Sequence, residues 1–152
     1  RENIAYFGRI YGLRGSELDA RVEELLHDLE LTRVADRRSA GFSQGERMKV
    51  AIGRALIHSP QNLILDEPTN GLDVLATRAM RELIARLRER GHCVLFTSHV
   101  MQEVAALSDH IVVIARGCVV ANGTPDELRA QTGRDALEDV FVALIGGAEV
   151  AS

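Results

Sequence analysis

Two adjacent carboxylates, Asp66 and Glu67, close the apolar run Asn62-Leu63-Ile64-Leu65 and lead into Pro68-Thr69-Asn70-Gly71-Leu72-Asp73. A short run that is apolar at successive positions fits a strand covered on both faces, whereas a half-exposed strand alternates. Pro68 ends such a strand just past the acids. In open α/β sheets, ligands collect beyond the carboxyl ends of strands, so the two acids are expected where a phosphate and its metal would lie. A solvated turn is the competing reading of the same pair, and the pattern alone leaves both open. Upstream, Phe42-Ser43-Gln44-Gly45-Glu46 stands immediately before a helix start. Ser43 and the Gly45 amide could aim donors at an anion there, although a plain serine N-cap explains the same residues. A third candidate, His99, follows the apolar run Cys93 to Phe96 in Thr97-Ser98-His99.

The elements that position these residues alternate between two periodicities. Helix is expected over 1–12, with Ile4, Phe7, Ile10 and Tyr11 on one stripe and Gly12 as its stop. Ser16-Glu17-Leu18-Asp19 reads as a variant capping box opening a second helix striped by Leu18, Val22, Leu25, Leu26 and Leu29. A third helix is expected from Gly45 to Ile57, with Met48, Ala51, Ile52, Ala55 and Leu56 inward. Asp73 can cap a fourth, Val74 to Arg90, that buries Met80, Leu83, Ile84 and Leu87 and stops at Gly91. Cys93 to Thr97 is a second apolar strand, and strand, helix, strand in this order marks a parallel sheet. A short helix through Leu107 follows, then a hairpin of Ile111–Ala115 and Cys118–Asn122 around Arg116-Gly117. Thr124-Pro125-Asp126-Glu127 opens a helix with cap, proline and capping glutamate. The last helix is expected over about 135–145, ended by Gly146-Gly147, with 148–152 frayed.

Composition bounds the answer. The chain has 152 residues, 46% hydrophobic and 26% charged, with a formal net charge of −4. That balance suits a globular α/β domain and argues against a dedicated nucleic-acid binder, so no nucleic-acid partner is expected. No stretch approaches the ~18 apolar residues of a membrane span. Cys93 and Cys118 lie in no metal-like spacing and are expected to be reduced core thiols.

Taken in order, a Ser-x-Gly helix start, an apolar strand ending Asp-Glu-Pro-Thr, a Gly-Leu-Asp and a Thr-Ser-His after the next strand closely resemble the ATP-binding-cassette (ABC) family of ATPases. The resemblance covers nearly all of residues 1–145. It implies an α/β fold, the C-terminal part of a P-loop NTPase (RecA-like) nucleotide-binding domain with a mainly parallel sheet, plus a helical subdomain. By the same resemblance, Phe42 to Glu46 is the signature motif, Leu63 to Asp66 Walker B, Glu67 the catalytic glutamate, Asn70 to Asp73 the D-loop and His99 the switch histidine. ATP and Mg²⁺ are the implied cofactors, with Asp66 holding the metal largely through water and Glu67 orienting or deprotonating the attacking water. His99 would reach the γ-phosphate and link it to Glu67. Ser43, Gln44, Gly45, Glu46 and Asp73 would act on nucleotide held by a second nucleotide-binding subunit, a homodimer. An integral membrane permease is the other implied partner, with Tyr6, Phe7 and Tyr11 as contact candidates, and the location is the cytoplasmic face of the cell membrane. Thr124 to Leu128 and Leu137 to Phe141 resemble the ATPase subunits of ABC-2-type sodium and drug exporters.

The sequence departs from the family pattern in two ways. Gln44 replaces a glycine and Glu46 a glutamine of the usual signature, and an acid at 46 would repel ATP unless turned away. No Gly-x-x-x-x-Gly-Lys-Ser/Thr loop or Q-loop glutamine is present. The chain is therefore expected to be a C-terminal fragment, divided into a helical subdomain (1–57), the second half of the ATPase core (58–123) and C-terminal helices with a frayed tail (124–152). Two other functions remain open on the sequence: a soluble ABC-class ATPase acting on DNA or the ribosome, and a non-catalytic docking module.

Overall fold

The computed structural model describes residues 1–150, with side chains through Gly146. Two compact units divide it, Arg1–Thr97 and the residues from Ser98 onward.

The first unit holds helices α1 (Glu2–Ile10), α2 (Gly15–Asp28) and α3 (Gln44–Leu56), strand β1 (Asn62–Leu65), helix α4 (Val74–Glu89) and strand β2 (Cys93–Phe96). Its helices pack through a continuous apolar core: Ile4, Leu26, Leu29, Leu31, Ile52 and Ile57 are all at most 1% exposed. Each such side chain contributes about 1.5–3 kcal/mol by leaving water. The predicted α2 stripe is buried throughout, and so is that of α4, Met80, Leu83, Ile84 and Leu87. β1 and β2 pair in parallel with Leu63 opposite Val94 and Ile64 opposite Leu95, the arrangement the strand, helix, strand order requires.

Several details differ from expectation. Leu63 and Leu65 are buried, but Ile64 is 76% and Leu95 60% exposed; β1 is covered on one face, because in a two-stranded sheet the pleat sends alternate residues to opposite sides. α2 begins at Gly15 behind Arg14, without a side-chain cap, so Ser16 sits inside the first turn rather than capping it. α3 begins at Gln44 and buries Val50, Ile52, Gly53 and Leu56, while Ala51 is exposed. Glycine at 53 lets α3 approach Ile4 and Leu29 so closely that this position faces inward without an apolar side chain. Ile10 and Tyr11 are exposed, 60% and 55%, leaving Ile4 and Gly8 as the buried residues of α1. Both cysteines are exposed rather than in the core, since Cys93 and Cys118 each open a strand, where cover is least.

The second unit holds α5 (Met101–Leu107), β3 (Ile111–Ala115), β4 (Cys118–Gly123), α6 (Pro125–Thr132) and α7 (Leu137–Val150). β3 and β4 form an antiparallel hairpin whose turn residues Arg116 and Gly117 have φ of 51° and 78°, the paired positive angles that match strand twist. Val113, Ala121, Leu128, Leu137 and Val140 form its core. Thr124 caps α6 in a reciprocal capping box with Glu127, with Pro125 in the first turn. α7 runs through Gly146-Gly147 instead of stopping there. Gly146 does not take the left-handed φ that a glycine stop needs. The fraying expected over 148–152 therefore gives way to helix as far as Val150, and for residues 151 and 152 lies outside the described residues. No described helix is long and apolar enough to cross a membrane.

Candidate active site

The two carboxylates stand at the carboxyl end of β1, beside the end of β2. The Thr97 N–H donates to the Leu65 carbonyl at 3.0 Å, extending the parallel ladder one residue past β2. That contact sets the Thr97 side chain beside the acids. Its hydroxyl donates to Asp66 Oδ1 at 2.6 Å and accepts from the Glu67 N–H at 2.9 Å. Glu67 has φ of +45°, a left-handed angle uncommon outside glycine and frequent where a site stores strain. The chain then folds back: the Asn70 N–H donates to the Glu67 carbonyl at 3.0 Å and the Leu72 N–H to the Thr69 carbonyl at 3.1 Å. Pro68 and Thr69 beneath this turn are buried. The carboxylates are therefore displayed on a fixed turn, Asp66 exposed and Glu67 half-buried.

A second constellation lies at the start of α3. Ser43 Oγ accepts from the Glu46 N–H at 3.2 Å, and the Glu46 carboxylate accepts from the Ser43 N–H at 2.7 Å. Glu46 is thus turned back on its own helix start. Asp73 caps α4 by accepting from the Ala76 N–H at 2.8 Å. A Cβ built on Gly45 would lie 3.4 Å from the Ala76 Cβ, so the α3 start and the capped turn of α4 meet at Ala76. Ser43, Gln44, Gly45, Glu46 and Asp73 are in this way brought to neighbouring helix N-termini, whose free N–H groups and dipoles favour anions.

His99 is the second residue of the second unit and is exposed. Next to it, Ser98 Oγ donates to the buried Glu103 at 3.1 Å and accepts from the Val100 N–H at 3.1 Å, fixing the entry to α5. The other histidines sit in packing or surface contacts: His58 stacks on Tyr11 with ring centroids 3.8 Å apart, and His92 Nδ1 lies 2.7 Å from the Pro60 carbonyl oxygen. Sequence reasoning missed Thr97. Its signal was present, a hydroxyl residue ending the strand that parallel pairing sets beside β1.

Among the described residues no group of three or more His, Cys, Asp or Glu side chains could hold a metal. Such a site does not suit a cation caged wholly by protein. It suits Mg²⁺, which keeps most of its waters and takes one or two carboxylates along with substrate phosphates. Asp66 fits, being an exposed hard-oxygen donor with one oxygen fixed by Thr97 and the other still to offer.

Carboxylates past the end of a parallel strand, with helix N-termini in the same unit, define an α/β nucleotide-binding module. Similarity to known proteins agrees. The ABC transporter family model matches residues 1–70. The ABC transporter ATP-binding protein NatA of Bacillus subtilis is 41% identical over 94% of this chain and 58% of its own length. The linearmycin resistance ATP-binding protein LnrL of the same organism is 37% identical over 97% of the chain and 47% of its own length. The Nod factor export ATP-binding protein I of Bradyrhizobium diazoefficiens is 39% identical over 84% and 42%. A solved structure described as the ATP binding subunit of an ABC transporter superposes with a TM-score of 0.81 at 32% identity, covering 95% of this chain and 61% of that one. The chain belongs to the ABC transporter family of ATP-binding proteins. It spans about half the length of the curated relatives it matches.

Proposed function

We propose that the full-length protein is the ATP-binding and ATP-hydrolysing subunit of an ABC exporter that drives a separate integral membrane permease. The observation that carries this reading is the pair Asp66 and Glu67 at the carboxyl end of β1, joined through the Thr97 hydroxyl. Phosphoryl transfer to water asks little covalent chemistry of a protein, and mostly needs charge neutralisation and an aligned nucleophile. Glu67 orients the attacking water and takes its proton; the water oxygen bonds to the γ-phosphorus as the bond to the bridging oxygen breaks and ADP leaves. Asp66 is the residue that would hold Mg²⁺, which when bound offsets phosphate charge. His99 would contact the γ-phosphate.

The remaining candidates belong to a two-copy arrangement. Ser43, Gln44, Gly45 and Glu46 at the N-terminus of α3, with Asp73 at that of α4, would face nucleotide held by a second nucleotide-binding subunit. Residues 1–57 are the proposed helical subdomain, 58–123 the second half of the ATPase core and 124–152 the C-terminal segment. Export is supported by the name of one relative, the Nod factor export ATP-binding protein I, and the linearmycin resistance in another's name is compatible with drug efflux. The proposed location is peripheral, on the cytoplasmic face of the membrane beside the permease.

Replacing Glu67 with Gln in the full-length subunit tests the reading. Turnover should fall by about 10²-fold or more while ATP binding persists, because general-base help of this kind is worth about 10²–10⁴. Unaltered hydrolysis by that variant would sink the assignment.

A further inference from the structure

We infer that Thr97 is a positioning residue of this site, its hydroxyl being the joint that fixes the metal-side carboxylate, Asp66, against the water-side residue, Glu67. The inference rests on the ATPase reading above. Three observations carry it.

The hydroxyl makes two bonds of opposite sense. It donates to Asp66 Oδ1 at 2.6 Å, the short distance of an O–H to carboxylate bond, and accepts from the Glu67 N–H at 2.9 Å. An aliphatic side chain does neither, so serine is the conservative replacement that keeps both bonds.

The joint is itself fixed. The Thr97 N–H donates to the carbonyl of Leu65, the residue just before Asp66, and a β-branched side chain has few χ1 choices. Sheet pairing therefore delivers the hydroxyl to one place.

The bond to Glu67 acts where the backbone is strained. A left-handed glutamate, φ +45°, persists only when its surroundings hold it. The Thr97 Oγ supports its amide, and the Asn70 N–H holds its carbonyl. Loss of the hydroxyl would release the Asp66 carboxylate and the Glu67 backbone amide at once, and one residue thereby couples metal geometry to water geometry.

Groups that orient metal-holding side chains typically matter by 10–100-fold in metal affinity or activity. The test compares Thr97→Val, Thr97→Ala and Thr97→Ser in the full-length subunit, reading Mn²⁺ affinity by electron paramagnetic resonance with a saturating non-hydrolysable ATP analogue, and kcat for ATP separately. Val and Ala should each weaken Mn²⁺ binding by about tenfold or more and lower kcat at least as far, with little change in ATP-analogue affinity measured without metal. Ser should restore both. Wild-type Mn²⁺ affinity in Val and Ala overturns the inference, as does a Ser variant as impaired as they are. If the unmodified subunit neither hydrolyses ATP nor holds Mn²⁺ with the analogue, the ATPase reading itself has failed; if it does both, and Glu67→Gln stops turnover while Thr97→Val behaves as wild type, only the role of Thr97 has failed.

Discussion

The Glu46 carboxylate accepts a hydrogen bond from the Ser43 backbone N–H at 2.7 Å, while Ser43 Oγ accepts from the Glu46 N–H at 3.2 Å. This reciprocal box occupies the acid at a position where the family usually has glutamine. A carboxylate in the first helical turn is favoured by the helix dipole, and here it is folded onto its own chain.

Glutamine can make the same box. Glu46→Gln is therefore expected to change stability by less than about 0.5 kcal/mol, whereas Glu46→Ala should cost about 0.5–1 kcal/mol by releasing the Ser43 N–H. Thermal denaturation of the full-length subunit separates the two. An alanine variant as stable as wild type would show that the box contributes nothing.

Gly53 meets the side chains of Ile4 and Leu29 inside the first unit. A Cβ there would lie 2.7 Å from Ile4 Cδ1 and 3.0 Å from Leu29 Cδ1, and both side chains are at most 1% exposed. Overpacking of this kind costs about 1–3 kcal/mol, against which alanine recovers up to about 1 kcal/mol of helix propensity. Gly53→Ala is thus expected to destabilise by up to about 2 kcal/mol, the overpacking cost less about 1 kcal/mol of propensity. Adding Ile4→Val, which deletes the clashing methyl, should return part of that loss in urea unfolding. A single variant more stable than wild type by about 1 kcal/mol, the full propensity gain, contradicts the close approach.

Much of this was legible in the residues, and the failures have common physical causes. The stripes of α2 and α4, the parallel pairing, the Arg116-Gly117 turn and the Thr124 box are local patterns whose outcome depends on few neighbours. Ile64 and Leu95 misled because an unbroken apolar run gives no sign of which face is covered, and coverage depends on elements that meet the sheet. Ala51 misled for a related reason: α3 turns Gly53 inward instead, which hydrophobicity does not encode. Asp66 and Glu67 were marked by type and place. Thr97 was not, since its role arises only when β2 lies in register beside β1 and brings residues about thirty apart in sequence within hydrogen-bonding reach.

Arg90, at the C-cap of α4, pairs with Asp28 at the end of α2 across 62 residues of sequence. Arg21, Glu24 and Arg86 line the same cleft, and His27 Nδ1 stands 3.7 Å from Asp28 Oδ1. The Arg90 hydrogen bond holds the Asp28 carboxyl below its ordinary value of 3.8, outweighing partial burial, which works the other way. A carboxyl whose folded value is depressed adds stability that is complete above its unfolded value and fades as pH falls through the folded one. Asp28→Asn should therefore be less stable than wild type at pH 7. The gap should narrow as pH falls below about 4 and close only once the folded wild type also loses the charge, below the depressed value of Asp28. With Arg90 about half exposed, its side chain at 53%, solvent screening limits the difference to about 1 kcal/mol or less, and high salt should shrink it further. Arg90→Gln should reproduce the loss, and the double variant should lose less than the sum, since the pair is removed only once. A stability gap constant from pH 7 to pH 3 would mean that Asp28 acts through packing, with no contribution from its charge.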